Sequence, residues 1–194
     1  MKSDIILSGV GGQGILSIAA AIGLAAVDNN LFLKQSEVHG MSQRGGDVQS
    51  HLRISDRPVA SDLIPYGTAS LIISVEPMES LRYLPWLSPD GWLVTSSIPF
   101  INIPDYPPVD DVIAEIRKVR NNIIIDADSI AREAGSARSG NMVILGAASP
   151  FIGMPSESLE NAIRKLFARK GEDIVLVNLD AYSRGRDNTI SLKA

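Results

Sequence analysis

Gly9-Val10-Gly11-Gly12-Gln13-Gly14 follows a short strand pattern, Asp4 to Ser8, and runs directly into a small-residue helix pattern from Ile15 to Val27. A strand that turns straight into a helix N-terminus, with no side chains in the way, presents backbone N–H groups to an anion. Gly9, Gly11 and Gly14 keep the G-x-G-x-x-G spacing of a dinucleotide-binding turn. Such a turn also wants an acid about 20 residues on, for the ribose hydroxyl, and Glu37 stands at a slightly longer distance. Two features argue against a simple pyrophosphate turn. The glycines are nearly continuous and accompanied by Gln13, and the next strand feeds a long polar loop rather than a crossover helix.

That second loop is Ser36-Glu37-Val38-His39-Gly40-Met41-Ser42-Gln43-Arg44-Gly45-Gly46. Arg44 followed by two glycines can bring a guanidinium and backbone N–H groups to one anion. The candidate ligand-binding residues are therefore Gly9, Gly11, Gly12, Gln13, Gly14, Ser42, Arg44, Gly45 and Gly46. Arg44 and His39 are the candidates for a direct part in chemistry. His39 and Glu37 can hold each other or a ligand, whereas His51, on the polar side of a strand, reads as a structural or interface residue. With two histidines and no cysteine in the chain, no metal site is expected.

The composition narrows the function further. The 194 residues fit one domain spanning the whole chain. A net charge of −4 argues against a nucleic-acid scaffold, which would need a basic footprint. The absence of cysteine excludes disulfides, thiolate-held iron–sulfur clusters, thiolate zinc and a cysteine nucleophile within this chain. Neither a leader nor an apolar run of membrane-spanning length stands out, so a cytoplasmic protein is expected.

The elements that must position the two loops alternate between strand and helix. Strands are predicted at 31–36, at 47–54 with Val48, Ser50, Leu52 and Ile54 on one face, and at 71–75, 92–96 and 122–126. The alternating 47–54 strand is expected to be antiparallel or at an edge. Asp90-Gly91 reads as a turn, and the proline-rich stretch 99–108 as an extended surface connection. Helices are predicted from Glu76-Pro77 through Tyr83, and at 109–119, 129–134, 141–148, 156–169 and 175–186, with a frayed tail after Asp187. This order gives an α/β, three-layer Rossmann-like fold, its sheet mainly parallel with at least one antiparallel or edge strand. Ligands of such folds gather beyond the carboxyl ends of the strands.

The two loops together, GVGGQG at 9–14 and SEVHGMSQRGG at 36–46, resemble the gamma component of 2-oxoacid:ferredoxin oxidoreductases. The HGMSQRGG form, followed by DVQSHLRIS, is most similar to the small (beta) subunit of the indolepyruvate type. Weaker matches continue the likeness at Val75-Glu76-Pro77 with Leu81-Arg82, at Asn141 to Gly146, and at Asn178, Ala181-Tyr182 and Gly185.

The resemblance implies a division of labour. The family decarboxylates a 2-oxoacid on thiamine diphosphate, passes electrons through iron–sulfur clusters to ferredoxin and releases an acyl-CoA. It implies that thiamine diphosphate, magnesium and the clusters sit on a large partner subunit, with CoA as co-substrate and ferredoxin as an indirect partner. This chain would then bind no cofactor alone and be inactive in isolation, its two loops meeting CoA phosphates or the substrate carboxylate. Two other readings stay open on the residues: a stand-alone NAD(P)-binding oxidoreductase, and a purely structural interaction subunit.

Overall fold

The structure is a computed structural model that describes residues 1–39 and 45–193. Six strands form one sheet in the order β2-β3-β1-β4-β5-β6, with β1 at Lys2–Val10, β2 at Phe32–His39, β3 at Asp47–Ser55, β4 at Ala69–Ser74, β5 at Leu87–Ser96 and β6 at Asn122–Ile125. β1, β4, β5 and β6 pair in parallel, as their continuous apolar runs require. β3 runs antiparallel to both β1 and β2, so the alternating strand lies inside the sheet and β2 forms the edge.

Among the described residues seven α-helices cover the sheet: α1 (Ile15–Asp28), α2 (Pro77–Arg82), α3 (Val109–Arg117), α4 (Ala127–Glu133), α5 (Gly140–Ile152), α6 (Ser156–Phe167) and α7 (Glu172–Lys193). On one face, α1, α4, α5, α6 and α7 bury a large apolar core that includes Ile5, Leu7, Leu71, Ile73 and Val94. On the other, α2 and α3 close a smaller core around Ile6, Ile72, Leu93, Val112 and Ile116. The sheet is thus the middle of three layers.

Four local expectations need correction. Glu37 to His39 continue β2 instead of belonging to the loop, because they pair in register with Val48 to Ser50. Asp90-Gly91 is no turn between elements. It lies in an irregular stretch of β5, where partners shift from Ala69↔Leu87 to Leu71↔Trp92. Helix α5 runs past Ala148 through Pro150. A proline cannot donate to the carbonyl four residues back, and here the Ser149 hydroxyl donates to that Gly146 carbonyl at 2.7 Å. Finally, the chain after Asp187 does not fray: α7 continues to Lys193 and carries Thr189, which is fully buried.

α5 and α7 cross without room for side chains. A Cβ on Gly146 would lie 1.9 Å from the Tyr182 carbonyl oxygen, and one on Gly185 would lie 2.1 Å from that of Val143. This close crossing holds α5 against the sheet and fixes where its first residues, Gly140 and Asn141, meet the turn after β1.

Candidate functional site

β1 ends at Val10, and Gly11 and Gly12 carry the chain over the top of the sheet before Gly14 caps α1. Gly12 at φ 101° and Gly14 at φ 81° lie in the left-handed region, which side chains disfavour, so the turn needs glycine there for its conformation. Gly9 is a glycine for a different reason. A Cβ there would lie 2.4 Å from the Val75 side chain and 2.9 Å from that of Ile15. Gln13 closes the turn from within: its Oε1 accepts from the Val10 N–H at 2.8 Å and its Nε2 donates to the Val75 carbonyl at 3.4 Å. Its amide is thereby committed to the fold, which makes Gln13 a brace of the turn.

The glycine-rich stretches do meet. Gly11 N–H donates to the Gly46 carbonyl at 2.8 Å, and the Asn102 side-chain amide donates to the Gly45 carbonyl. Ser42 and Arg44 lie outside the described residues, as does the side chain of His39, the last residue of β2. His51 is buried. Its Nδ1 accepts from the Ile64 N–H at 3.0 Å, and its ring meets the edge of Trp86. Burial pulls its pKa down, so it is a neutral core histidine holding the 56–66 loop.

The first turn of α1 is left open by the protein. Gly14 caps the helix through its carbonyl, which accepts from Ser17 and Ile18, and no acid stands in the first turn. Among the described residues no acceptor meets the N–H groups of Gly12, Gly14, Ile15 or Leu16. Unpaired donors at the positive end of a helix dipole are chemically suited to an anion. Asn141 fixes this end from α5. Its Nδ2 donates to the Gly14 carbonyl at 3.0 Å while its Oδ1 accepts from the Met142 N–H, also at 3.0 Å.

Two cavities open on either side of this turn. One, of about 440 Å³, lies between Gly12 and the segment after β5, with Phe100, Asp128 and Ile144 in its wall. The other, of about 500 Å³, runs from Ser17 toward Lys170 and Asn178. Gly12, Gln13, Arg138 and Asn141 line both. No described carboxylate pairs with Arg138, so an exposed guanidinium stands beside the open helix end. Sequence reasoning named neither Arg138 nor Asn141 as a site residue, although Asn141 begins one of the stretches that carry the family likeness. Each follows a helix break of ordinary composition, and only the α5–α7 crossing brings them to a turn more than 120 residues earlier.

Against known proteins, the family model described as pyruvate ferredoxin/flavodoxin oxidoreductase matches residues 4–188. The chain belongs to that family. Indolepyruvate oxidoreductase subunit IorB of Archaeoglobus fulgidus is 38% identical over 200 residues, covering 98% of this chain and 97% of that one. The Methanothermobacter thermautotrophicus subunit of the same name is 37% identical, covering 95% and 96%. Among solved structures, the keto/oxoacid ferredoxin oxidoreductase gamma subunit from Geobacter sulfurreducens shares the fold at a TM-score of 0.73 and 22% identity, over 97% of this chain and 99% of that chain. The 2-oxoglutarate:ferredoxin oxidoreductase from Magnetococcus marinus, solved with 2-oxoglutarate, coenzyme A and succinyl-CoA bound, reaches 0.77 at 22% identity. There the match covers 98% of this chain but 31% of the other, so in that enzyme the same fold is one part of a longer polypeptide.

Family membership raises the question of cofactors. Without cysteine the chain has no thiolate for a cluster. Among the described residues no group of three or more histidines and carboxylates stands close enough to hold a metal ion. The residues present do not fit those groups. They fit an organic anion such as a phosphate or carboxylate, for which open N–H groups and a guanidinium are the suitable donors. No described helix is long and apolar enough to cross a membrane.

Proposed function

We propose that this chain is the gamma-type, accessory subunit of a thiamine-dependent 2-oxoacid:ferredoxin oxidoreductase that converts indolepyruvate or another aryl pyruvate to its acyl-CoA. The observation that carries the reading is the likeness to indolepyruvate oxidoreductase subunits, 34–38% identical along nearly the whole chain. The thiamine diphosphate, its magnesium and the iron–sulfur clusters belong to a large partner subunit, which hands electrons to ferredoxin in the cytoplasm. Decarboxylation and electron transfer are the chemistry of those groups.

This chain's own residues bind and orient. The N–H groups of Gly12, Gly14, Ile15 and Leu16 receive an anionic group of the ligand, either a CoA phosphate or the oxoacid carboxylate, with Arg138 and Arg44 adding charge. Asn141 and Gln13 keep the turn in shape. The apolar wall at Ile98 and Phe100 excludes water from the neutral part of the ligand.

The test is reconstitution. The isolated chain should neither reduce a viologen dye with indolepyruvate and CoA nor bind NAD(H) or NADP(H) in a calorimetric titration. Together with a cysteine-rich, thiamine-binding large subunit it should give a brown complex with that activity. A colourless solitary protein that binds NAD(H) would replace this reading with a stand-alone dehydrogenase.

A further inference from the structure

Glu76, just after β4, is 1% exposed, yet among the described residues none of its hydrogen-bond partners is a cation. Its Oε2 accepts from the Glu79 N–H at 2.8 Å and so caps α2. Capping needs only one oxygen, and an exposed serine or aspartate would serve as well. The other oxygen reaches much further along the chain. Oε1 accepts from the Phe100 N–H at 3.3 Å and from the Tyr106 hydroxyl at 2.6 Å. Burial, followed by this hydrogen bond, pushes the Tyr106 phenol up, so it stays a donor at any physiological pH.

Phe100 and Tyr106 sit near opposite ends of a strap, residues 97–108, that contains neither helix nor strand before α3. The Ile98 N–H donates to the Ser96 hydroxyl at 3.1 Å, and Asn102 is tied to the Gly45 carbonyl. The strap therefore hangs on a few polar contacts, two of which converge on one carboxylate oxygen. Ile98, Pro99 and Phe100 form the wall of the 440 Å³ cavity opposite Gly12 and Asn141.

We propose that Glu76 is a positioning residue for the ligand site: its carboxylate holds the 98–106 strap as the apolar wall of the cavity at the glycine turn, and so sets how closely that cavity fits its ligand. This rests on the reading of the turn as a ligand site of the assembled enzyme. A charged acceptor suits the task because it takes two donors on one oxygen with charge-assisted strength. A glutamine of the same size can still cap α2 through its carbonyl. Its amide then faces the strap, and the Tyr106 hydroxyl can turn to accept from it, but the Phe100 N–H cannot.

The experiment uses the assembled enzyme with Glu76→Gln and, separately, Tyr106→Phe. Amide hydrogen exchange at Phe100 should speed up about tenfold in Glu76→Gln, the loss expected for one buried charge-assisted bond. KM for either CoA or the 2-oxoacid should rise about five- to tenfold with kcat within about twofold, as expected when binding rather than the chemical step is lost. Tyr106→Phe should move both readouts in the same direction by less, and it carries the test alone if Glu76→Gln does not assemble. Unchanged exchange at Phe100 would show that Glu76 does not hold the strap. Faster exchange with both KM values unchanged would show that the strap does not wall a working site. A Gly12→Asp variant run in parallel separates the two readings. If it too leaves KM unchanged, the turn is not the ligand site and both readings fall; if it raises KM while the Glu76 variant does not, only the positioning role falls.

Discussion

The two faces of the sheet bury different chemistry. Under α1, α5 and α7 the core is aliphatic and small, with alanines and glycines letting helix backbones approach each other and the strands. On the other face the apolar cluster under α2 and α3 is smaller, and polar groups lie beside it: the Asp4–Arg53 pair, His51, Glu76, Glu79 and Ser8. The first face derives its order from contact, the second from hydrogen bonds. The glycine turn lies where they meet. Its helix end is fixed by Asn141 from the packed face, while the cavity wall opposite is held by Glu76 on the polar one.

The comparison is broken most severely at the helix crossing. Gly146→Val would push side-chain atoms into the Tyr182 carbonyl and should cost about 3 kcal/mol or more, seen as a lower urea midpoint. Next comes Arg53→Ala. Arg53 holds Asp4 through two contacts, at 2.8 and 3.1 Å, and the Ser61 and Leu63 carbonyls at 3.2 and 3.0 Å. Lys2 remains beside Asp4, so we expect a loss of about 2 kcal/mol, below the usual cost of orphaning a buried charge.

Sensitivity to acid should belong to the polar face. Burial raises the Asp4 carboxyl, but hydrogen bonds from Arg53 and Lys2, with their charges, outweigh it and hold the pKa below the ordinary value. The stability from that depressed acid is present above about pH 4 and is lost as pH falls further. His51, held neutral by burial, costs stability as pH drops below about 6.5, where the unfolded chain takes up a proton first. Unfolding free energies at pH 7 and pH 5 should therefore converge in His51→Gln relative to the native chain. Among the described residues the aliphatic face buries no acid or histidine to add a third step.

The smallest effects are the most discriminating. Asn141→Ala removes the tie to Gly14 and should cost about 1 kcal/mol, with a larger effect on ligand affinity than on stability. Ser8 points the other way. Its buried hydroxyl finds no partner among the described residues, and neither does the side-chain oxygen of its cross-strand neighbour Gln49. Ser8→Ala should leave stability unchanged or raise it by up to about 1 kcal/mol in the same urea titration.

Much of the packed face was legible in the sequence because periodicity encodes it. The glycine turn, the apolar α1 and the buried strands at 71–75 and 122–126 all follow from composition and spacing. The antiparallel 47–54 strand was legible through its alternation, but its place inside the sheet was not, since pairing partners leave no local mark. The polar face was largely hidden. Glu76 reads only as the start of a helix and Tyr106 as one residue of a proline-rich loop; their contact spans 30 residues and depends on tertiary placement. Arg138 and Asn141 were missed as site residues for the same reason. Gln13, placed in the ligand set by its position, has a second role that its position did not show: both ends of its amide brace the turn.

The central claim, that the open end of α1 receives an anionic ligand, is tested most directly at Gly12. Its missing Cβ faces open space, with nothing within 4 Å, so a side chain there disturbs no packing, and Asn and Asp share whatever backbone strain its positive φ imposes. Comparing Gly12→Asp with Gly12→Asn in the assembled enzyme isolates charge alone. We predict that the carboxylate raises KM for CoA or the 2-oxoacid about tenfold or more above the amide, a difference of about 1.4 kcal/mol. Equal KM values for the two variants, for both substrates, would contradict the account.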